Sequence, residues 1–477
     1  MVNDYIVEVI KKGDDASGII HEICKKTCSF RQEVSVADPS MGGLTVIRLK
    51  PDQKAAVHSA GGSPDLTNMH DYAYSLVDNL VCQAKKIGAE PIAMTNTLDM
   101  SAIDIEVVRG AANALYDAAE HFNVAIVNGE IAGLGNRVNA PFNISGTMIS
   151  AITEDHESGS LRMKDVEFAI FNHENMPIFM NSDGVGTKIE IAERTMHHTN
   201  MHDLFAMLMD DAIKKAAEVK VLSAVYESRE KKVLLESLLR NSGKKLAKQT
   251  GITFTMQAEK LGERVNGYGD EPYNLGGTCV SLIDEKALAN PPVPKPGNYI
   301  VVIRNKDNPT FRSNGITKVR EGLKQIYGEE WHMQKFNDHR VGKLAGAPST
   351  VFYPVFRELW GRKFATSFSH MSGGAYEGKF ARVFAKYGLY AEISDLFEPP
   401  ALMQKLVEHY KLAPEEAYRI WNMGNEGYIT TARLNDAVGV LRRYGLEGKS
   451  VGVVTAAHDK TGLTIKLKDA EIYYPGK

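Results

Sequence analysis

The chain has 477 residues, 43% of them apolar, enough to bury more than one hydrophobic core and to divide into two to four domains. A formal net charge of −3 argues against a polyanion-binding surface, because nucleic-acid binders concentrate positive charge. The start, MVNDYIVEVIKKGDD, lacks a basic-then-apolar leader, and no apolar run approaches the ~18 residues of a membrane span. The expectation is a cytoplasmic protein with small-molecule partners, with neither nucleic acid nor membrane among them.

In chain order, residues 1–35 form a lead-in. Cys24 and Cys28 have helical spacing, and with Cys82 and Cys279 they are expected to be structural rather than metal ligands. Two copies of the tetrapeptide NMHD then organise the chain, at Asn68 to Asp71 and at Asn200 to Asp203. After the first come a helix (DYAYSLVDNLVCQAKKIGAE), a strand (PIAMTNTLDM), a helix (EVVRGAANALYDAAEHF), a strand (VAIVNGE) and a strand (FNISGTMISAI). After the second the same order returns as DLFAMLMDDAIKKAAEV, KVLSAVYES, KKVLLESLLRNSGKKLAKQTG, ITFTMQAE and NLGGTCVSLI. The reading is two tandem α/β repeats, 36–156 and 157–290. PPVPKPG, residues 291–297, breaks helix and ladder alike and marks a linker. Residues 298–477 read as a third α/β domain, with YIVVIRN and VGVVTAAH as its first and last clear strands. The fold class is α/β of the α+β type.

The stretch most suggestive of chemistry is SDGVGTK. Gly184 and Gly186 allow positive φ and close backbone approach, so successive amides can face an anion. Asp183 has the chemistry to hold Mg²⁺, and Lys188 to neutralise phosphate. The pattern is not a P-loop, and alone it reads more readily as a plain turn. Asp203, Asp210 and Asp211 lie on an otherwise apolar helix, where carboxylates need something positive to satisfy them. The first repeat has only GGSPDLT in place of DGVGTK, and Asn79 stands where the second has Asp211. It keeps NGE, Asn128 to Glu130, where the second offers TMQAE. One composite site is simpler than two complete ones. In the third domain, FRSNGITKVREGL places Ser313, Asn314 and Gly315 at a helix start, and SHMSGGAYEGKF carries His370, Gly373 and Gly374. Helix starts favour anions, although ordinary caps explain either loop alone.

SDGVGTK followed by D-L-x-A-M-x-x-D-D resembles the ATP-binding domain of phosphoribosylformylglycinamidine cyclo-ligase, the aminoimidazole ribonucleotide synthetase of purine biosynthesis. Similar to the same family are KKTCSFRQEVSVADPSMGGLTVIRL, GAEP at Gly88, NGE, the SNG segment, APSTVFYPVF at Ala347, HMSGG, YRIWNMGNEGY at Tyr418 and SVGVVTAAHD. The departure is the architecture, since the family pairs one ATP-binding domain with one carboxy-terminal domain and dimerises through the former. Here two such domains precede a single carboxy-terminal one, which implies an internal pseudo-dimer with one active cleft and leaves a homodimer open. The resemblance implies ATP and Mg²⁺ as cofactors and a ribotide substrate. Asp183, Gly184, Gly186, Thr187, Lys188 and Asp211 would serve the nucleotide, with Glu130 from the other repeat; Asp183, Asp211 and Glu130 would hold the metal. Ser313, Asn314, Gly315, Gly373 and Gly374 would cradle the ribotide phosphate. Asp183, Lys188 and His370 would be catalytic, and Asn422 has an open role. The rivals are a paralogous ATP-dependent enzyme acting on another amide or carboxylate, a non-catalytic nucleotide-binding regulator, and a subunit completed by a separate partner.

Overall fold

The computed structural model describes residues 2–37, 44–153, 156–307, 311–313, 315–457 and 459–476. The chain forms two compact units, residues 1–193 with 217–289, and residues 194–216 with 290–477. Both mix helices and sheets, and the α/β class holds. The first unit contains the strands of both repeats. The second NMHD helix, Asn200–Ile213, belongs to the second unit.

Twelve strands form two six-stranded sheets in the first unit: β1 (Val34–Ala37), β2 (Leu44–Ile47), β3 (Gln53–Gly61), β4 (Glu90–Met100), β5 (Ala125–Gly133), β6 (Asn143–Thr153), β7 (Gly159–Met163), β8 (Val166–Phe171), β9 (Ile178–Gly184), β10 (Glu218–Ser228), β11 (Thr253–Lys260) and β12 (Tyr273–Leu282). One sheet runs β5-β4-β6-β3-β8-β7 and the other β1-β2-β9-β12-β10-β11. The two orders share a four-strand segment. β5-β4-β6-β3 and β11-β10-β12-β9 have the same pairings, with β4 parallel to β5, β10 parallel to β11, and the other neighbours antiparallel. The leading hairpins are exchanged. β1-β2, which opens the first repeat, extends the sheet of the second through Ile47 opposite Ile178, while β7-β8, which opens the second, extends the sheet of the first. The expected boundary near 157 therefore runs through two interlocked sheets.

The sheets share one apolar core, in which Val57, Ala93 and Ile149 cluster with Ile178, Val221 and Val280. At its centre apolar packing yields to a row of hydroxyls, with Ser59 Oγ 2.7 Å from Ser223 Oγ and Thr95 Oγ1 2.8 Å from Thr278 Oγ1. Each hydroxyl both donates and accepts, so they satisfy one another without water. On its other face the first repeat's sheet packs against helices Val2–Thr27, Met69–Lys86 and Ile105–Phe122. Asn68 starts the second of these, its side chain accepting from the amides of His70 and Asp71, and Asp104 starts the third in the same way. In the second repeat Gly243, on helix Val233–Thr250, lets the Phe254 ring approach; a Cβ there would lie 2.3 Å from it. Cys24, Cys28 and Cys279 are buried, and Cys82 is exposed.

The second unit has a seven-stranded sheet of order β16-β18-β13-β19-β17-β20-β21 and a hairpin, β14-β15. These are β13 (Tyr299–Arg304), β14 (Lys335–Phe336), β15 (His339–Arg340), β16 (Ser367–His370), β17 (Leu389–Ser394), β18 (Gly427–Thr431), β19 (Glu447–Ala456), β20 (Gly462–Lys466) and β21 (Glu471–Tyr474). VGVVTAAH, read as the last clear strand, is followed by two more. Both are short, and the charges of KLKDAE between them mask their alternation. Among the described residues no helix is long and apolar enough to cross a membrane.

Candidate active site

In the first unit β9 ends in Asn181, Ser182, Asp183 and Gly184, a 3₁₀ turn Gly186–Lys188 follows, and helix Ile189–Thr195 begins directly after it. Gly186 has φ 69°, a value that favours glycine, and its position abuts Leu134 of the first repeat. The amide of Gly184 donates to Asp183 Oδ1 at 2.8 Å, folding the carboxylate back over the loop. Thr187 and Lys188 are buried, Lys188 to 1% exposure.

The first repeat meets this loop directly. Asn128 Oδ1 accepts from Ser182 Oγ at 3.0 Å and from Ser182 N at 3.3 Å, and Ser182 Oγ also donates to the carbonyl of Asn96 at 3.2 Å. Alternation along β5 puts Glu130 on the same face as Asn128. The NGE of one repeat is thus joined to the residue preceding Asp183 of the other.

One residue that carries this arrangement escaped the sequence reading. Arg137, buried in the first repeat, makes a bidentate pair with Glu193 on the helix behind DGVGTK. Nothing local in GLGNRVNA marks it, because its partner is 56 residues away. The equivalent end of the first repeat is closed. The amide of Gly61 donates to Glu259 Oε1 at 3.1 Å, and Asn79 Nδ2 donates to the carbonyl of Gly61 at 3.1 Å. A carboxylate sits on the Gly61 amide there, and burial pushes the Glu259 carboxyl up.

Asp211 and His370 lie in the second unit. Helix Asn200–Ile213 presents Asp203, Asp210 and Asp211, whose charges are met by the protein itself. Asp203 accepts from the amide and hydroxyl of Ser349. Asp210 accepts from Arg312 Nη2 at 3.2 Å and from the amide of Tyr353 at 2.8 Å, yet burial pushes its carboxyl up to about 7 in spite of the guanidinium. Asp211 Oδ1 lies 2.5 Å from Lys214 Nζ and 3.7 Å from Lys379 Nζ. Burial raises its carboxyl, but Lys214 and then Lys379 outweigh that and hold it well below the usual range. Asp211, expected to hold Mg²⁺, lies beside the ammonium groups of Lys214 and Lys379. Among the described residues no cluster of three or more His, Cys, Asp or Glu side chains is arranged to hold a metal ion.

His370, expected as a polar or acid/base group, is 2% exposed and lies 3.5 Å from both Asp210 and Asp211. Desolvation lowers its pKa well below the ordinary value, more than Asp211 raises it. The two glycine loops of this unit converge here. Arg312, next to Ser313, and His370, ahead of Gly373 and Gly374, both approach Asp210 Oδ2. Ser313 is buried, and among the described residues its hydroxyl has no hydrogen-bond partner. Gly315 has φ 73° and its carbonyl accepts from Trp421 Nε1 at 3.2 Å. Gly374 has φ 72°. Asn422 uses its side-chain oxygen on the amide of Gly424 at 2.9 Å, a local turn. Asn314 lies outside the described residues.

Residues 44–152 match the family model described as AIR synthase related protein, N-terminal domain. The matched segment is the first repeat, the half without DGVGTK. The phosphoribosylformylglycinamidine cyclo-ligase of Streptococcus pyogenes serotype M6 is 25% identical over 246 residues, 51% of this chain and 70% of that protein. That of Pyrococcus furiosus is 24% identical over 293 residues, 60% of this chain and 82% of that protein. Among solved structures, thiamine-monophosphate kinase from Stenotrophomonas maltophilia aligns with a TM-score of 0.45 and 14% identity, over 66% of this chain and 93% of that one.

Proposed function

We propose that the chain is an ATP-dependent ligase that converts formylglycinamidine ribonucleotide to aminoimidazole ribonucleotide with release of ADP and phosphate. The observation that carries the reading is the Asn128–Ser182 contact, which joins the NGE strand of one repeat to the DGVGTK loop of the other. The family match over 44–152 and the cyclo-ligase relatives support the same reading.

In this proposal the amides of Gly184, Gly186 and Thr187, with Lys188, receive the ATP phosphates. Asp183 and Glu130 hold Mg²⁺, which takes one or two carboxylates and fills its remaining positions with phosphate oxygens and water, so two carboxylates suit it. When bound, the ion neutralises charge on the transferring phosphoryl group. Ser313, Asn314, Gly315, Gly373 and Gly374 receive the ribotide phosphate. His370, beside Asp210 and Asp211 at the meeting of the two loops, has a positioning task rather than proton transfer.

The substrate amide oxygen takes the γ-phosphoryl group as the bond to ADP breaks. An amidine nitrogen then adds to the activated carbon, the carbon–oxygen bond breaks with its electron pair going to phosphate, and loss of a proton from nitrogen completes the imidazole. Such a sequence needs positioning and charge cancellation rather than a protein nucleophile. The test is incubation of the pure chain with Mg·ATP and formylglycinamidine ribonucleotide. Stoichiometric ADP and the imidazole product are expected, and ribotide-independent or absent ADP release contradicts the proposal. A panel of other amides and carboxylates in the same assay separates this reaction from related ones.

A further inference from the structure

The second unit holds a cavity of about 220 Å³ between the β14-β15 hairpin and the helix Ala401–Tyr410. Its walls are the rings of Phe311 and Phe336 with Pro400, Leu402 and Met403. These walls are held from behind. Phe311 is 4% exposed and meets Trp421 edge-on, ring centroids 6.0 Å apart, and the Lys405 ammonium lies 5.6 Å from the centre of the Phe336 ring. Leu402 and Met403 are buried in the first turn of the helix. Asn337 and His339 line the cavity from the hairpin and are exposed, which places polar groups at the mouth of an otherwise apolar space. The turn that carries them is tight: Asn337 has φ 46° and Asp338 φ 63°, the two-residue geometry that matches the twist of the flanking strands. Apolar walls with a few convergent polar groups are the ordinary make-up of a small-molecule site, and this volume lies below the ~300 Å³ at which drug-sized ligands begin. Aryl faces and a thioether favour a flat π system over an aliphatic one. The Asn337 amide presents a donor and an acceptor side by side, and His339 adds a ring nitrogen, a combination that suits the edge of a nitrogen heterocycle.

We propose that this cavity binds a planar nitrogen heterocycle of nucleobase size, stacked on Phe311 and Phe336 with its edge on Asn337 and His339. All of these residues belong to the second unit. The assignment goes beyond the proposed reaction and is independent of it.

Titration calorimetry on the full chain uses adenosine as the probe, with Mg²⁺ and a non-hydrolysable ATP analogue held saturating so that the ATP site is already filled. One adenosine is expected to bind per chain, and cyclohexylmethanol, apolar but not planar, at least tenfold more weakly. Ala401 is exposed and lines the cavity, so Ala401→Trp fills it from the surface and is expected to weaken adenosine at least tenfold. Asn337→Gly keeps the positive φ of the turn and removes the amide; it is expected to weaken adenosine about threefold to tenfold and to leave cyclohexylmethanol unchanged. The site is overturned if adenosine does not bind up to about 10 mM, or if it binds the Ala401→Trp variant with unaltered affinity. Equal affinity for adenosine and cyclohexylmethanol makes the cavity a general apolar hollow and overturns the assignment of a heterocycle. Adenosine binding that both variants weaken, in a chain that turns over no ribotide, removes the proposed reaction and leaves the site standing. Ribotide turnover without adenosine binding does the reverse.

Discussion

Arg137 and Glu193 form a buried bidentate ion pair, with Nη1 to Oε2 and Nη2 to Oε1 both 2.8 Å. Glu193 is further satisfied by the amides of Tyr268 and Tyr273, at 3.0 and 3.2 Å, and Arg137 also donates to the carbonyl of Tyr273. The pair fixes the helix behind DGVGTK to the first repeat. Arg137→Met leaves a buried carboxylate uncompensated and is expected to cost about 3–5 kcal/mol. Adding Glu193→Gln removes that charge and should restore most of the loss. Denaturant unfolding of the two variants checks this, and a double variant no more stable than the single one contradicts it.

Asp183→Asn and Glu130→Gln are each expected to reduce ATP turnover at least tenfold, since losing one charged contact to phosphate or metal costs about 1.5–3 kcal/mol. Steady-state ADP release measures both. Full activity in the Glu130 variant removes the first repeat from the chemistry.

The carboxylate of Glu259 on the Gly61 amide predicts one nucleotide per chain. An anion approaching that end of β3 meets a negative charge and a filled space. Equilibrium binding of a non-hydrolysable ATP analogue with Mg²⁺ should saturate at a single site, and two equivalent sites would refute the assignment.

Asp99 and Glu227, on the equivalent strands β4 and β10, are both pushed up, by burial first; Glu227 is raised further by Asp99, and Asp99 is partly relieved by Arg137. The folded state therefore keeps protons that the unfolded chain has already released. Their contribution favours folding at the acidic end and is lost as pH rises above the ordinary carboxyl range. Glu227→Gln, which cannot ionise, should raise the melting temperature more at about pH 8.5 than at about pH 5. An equal change at both values means that Glu227 ionises freely in the native protein.

Much of the fold was legible because each repeat announces its elements by local pattern. The strands around TNTLDM and VNGE and the helix behind NMHD all lie where periodicity places them. The exchange of the leading hairpins was not legible, since no residue of β1-β2 or β7-β8 records which sheet it extends. For the site, the glycines and Asp183 stand out in one heptapeptide, whereas Arg137, Glu259 and Lys379 owe their roles to partners far along the chain. Asp210 and Asp211 read from the sequence as carboxylates in need of positive charge. The sequence could not say that Arg312 and two lysines would provide it.

The central claim is that the DGVGTK loop of one repeat and the NGE strand of the other receive the nucleotide together. Hydrogen–deuterium exchange with and without Mg²⁺ and a non-hydrolysable ATP analogue tests it most directly. The account predicts added protection in peptides covering 182–189 and 128–131 in parallel, with 60–64 unchanged. Protection at 60–64, or at 182–189 without 128–131, contradicts it.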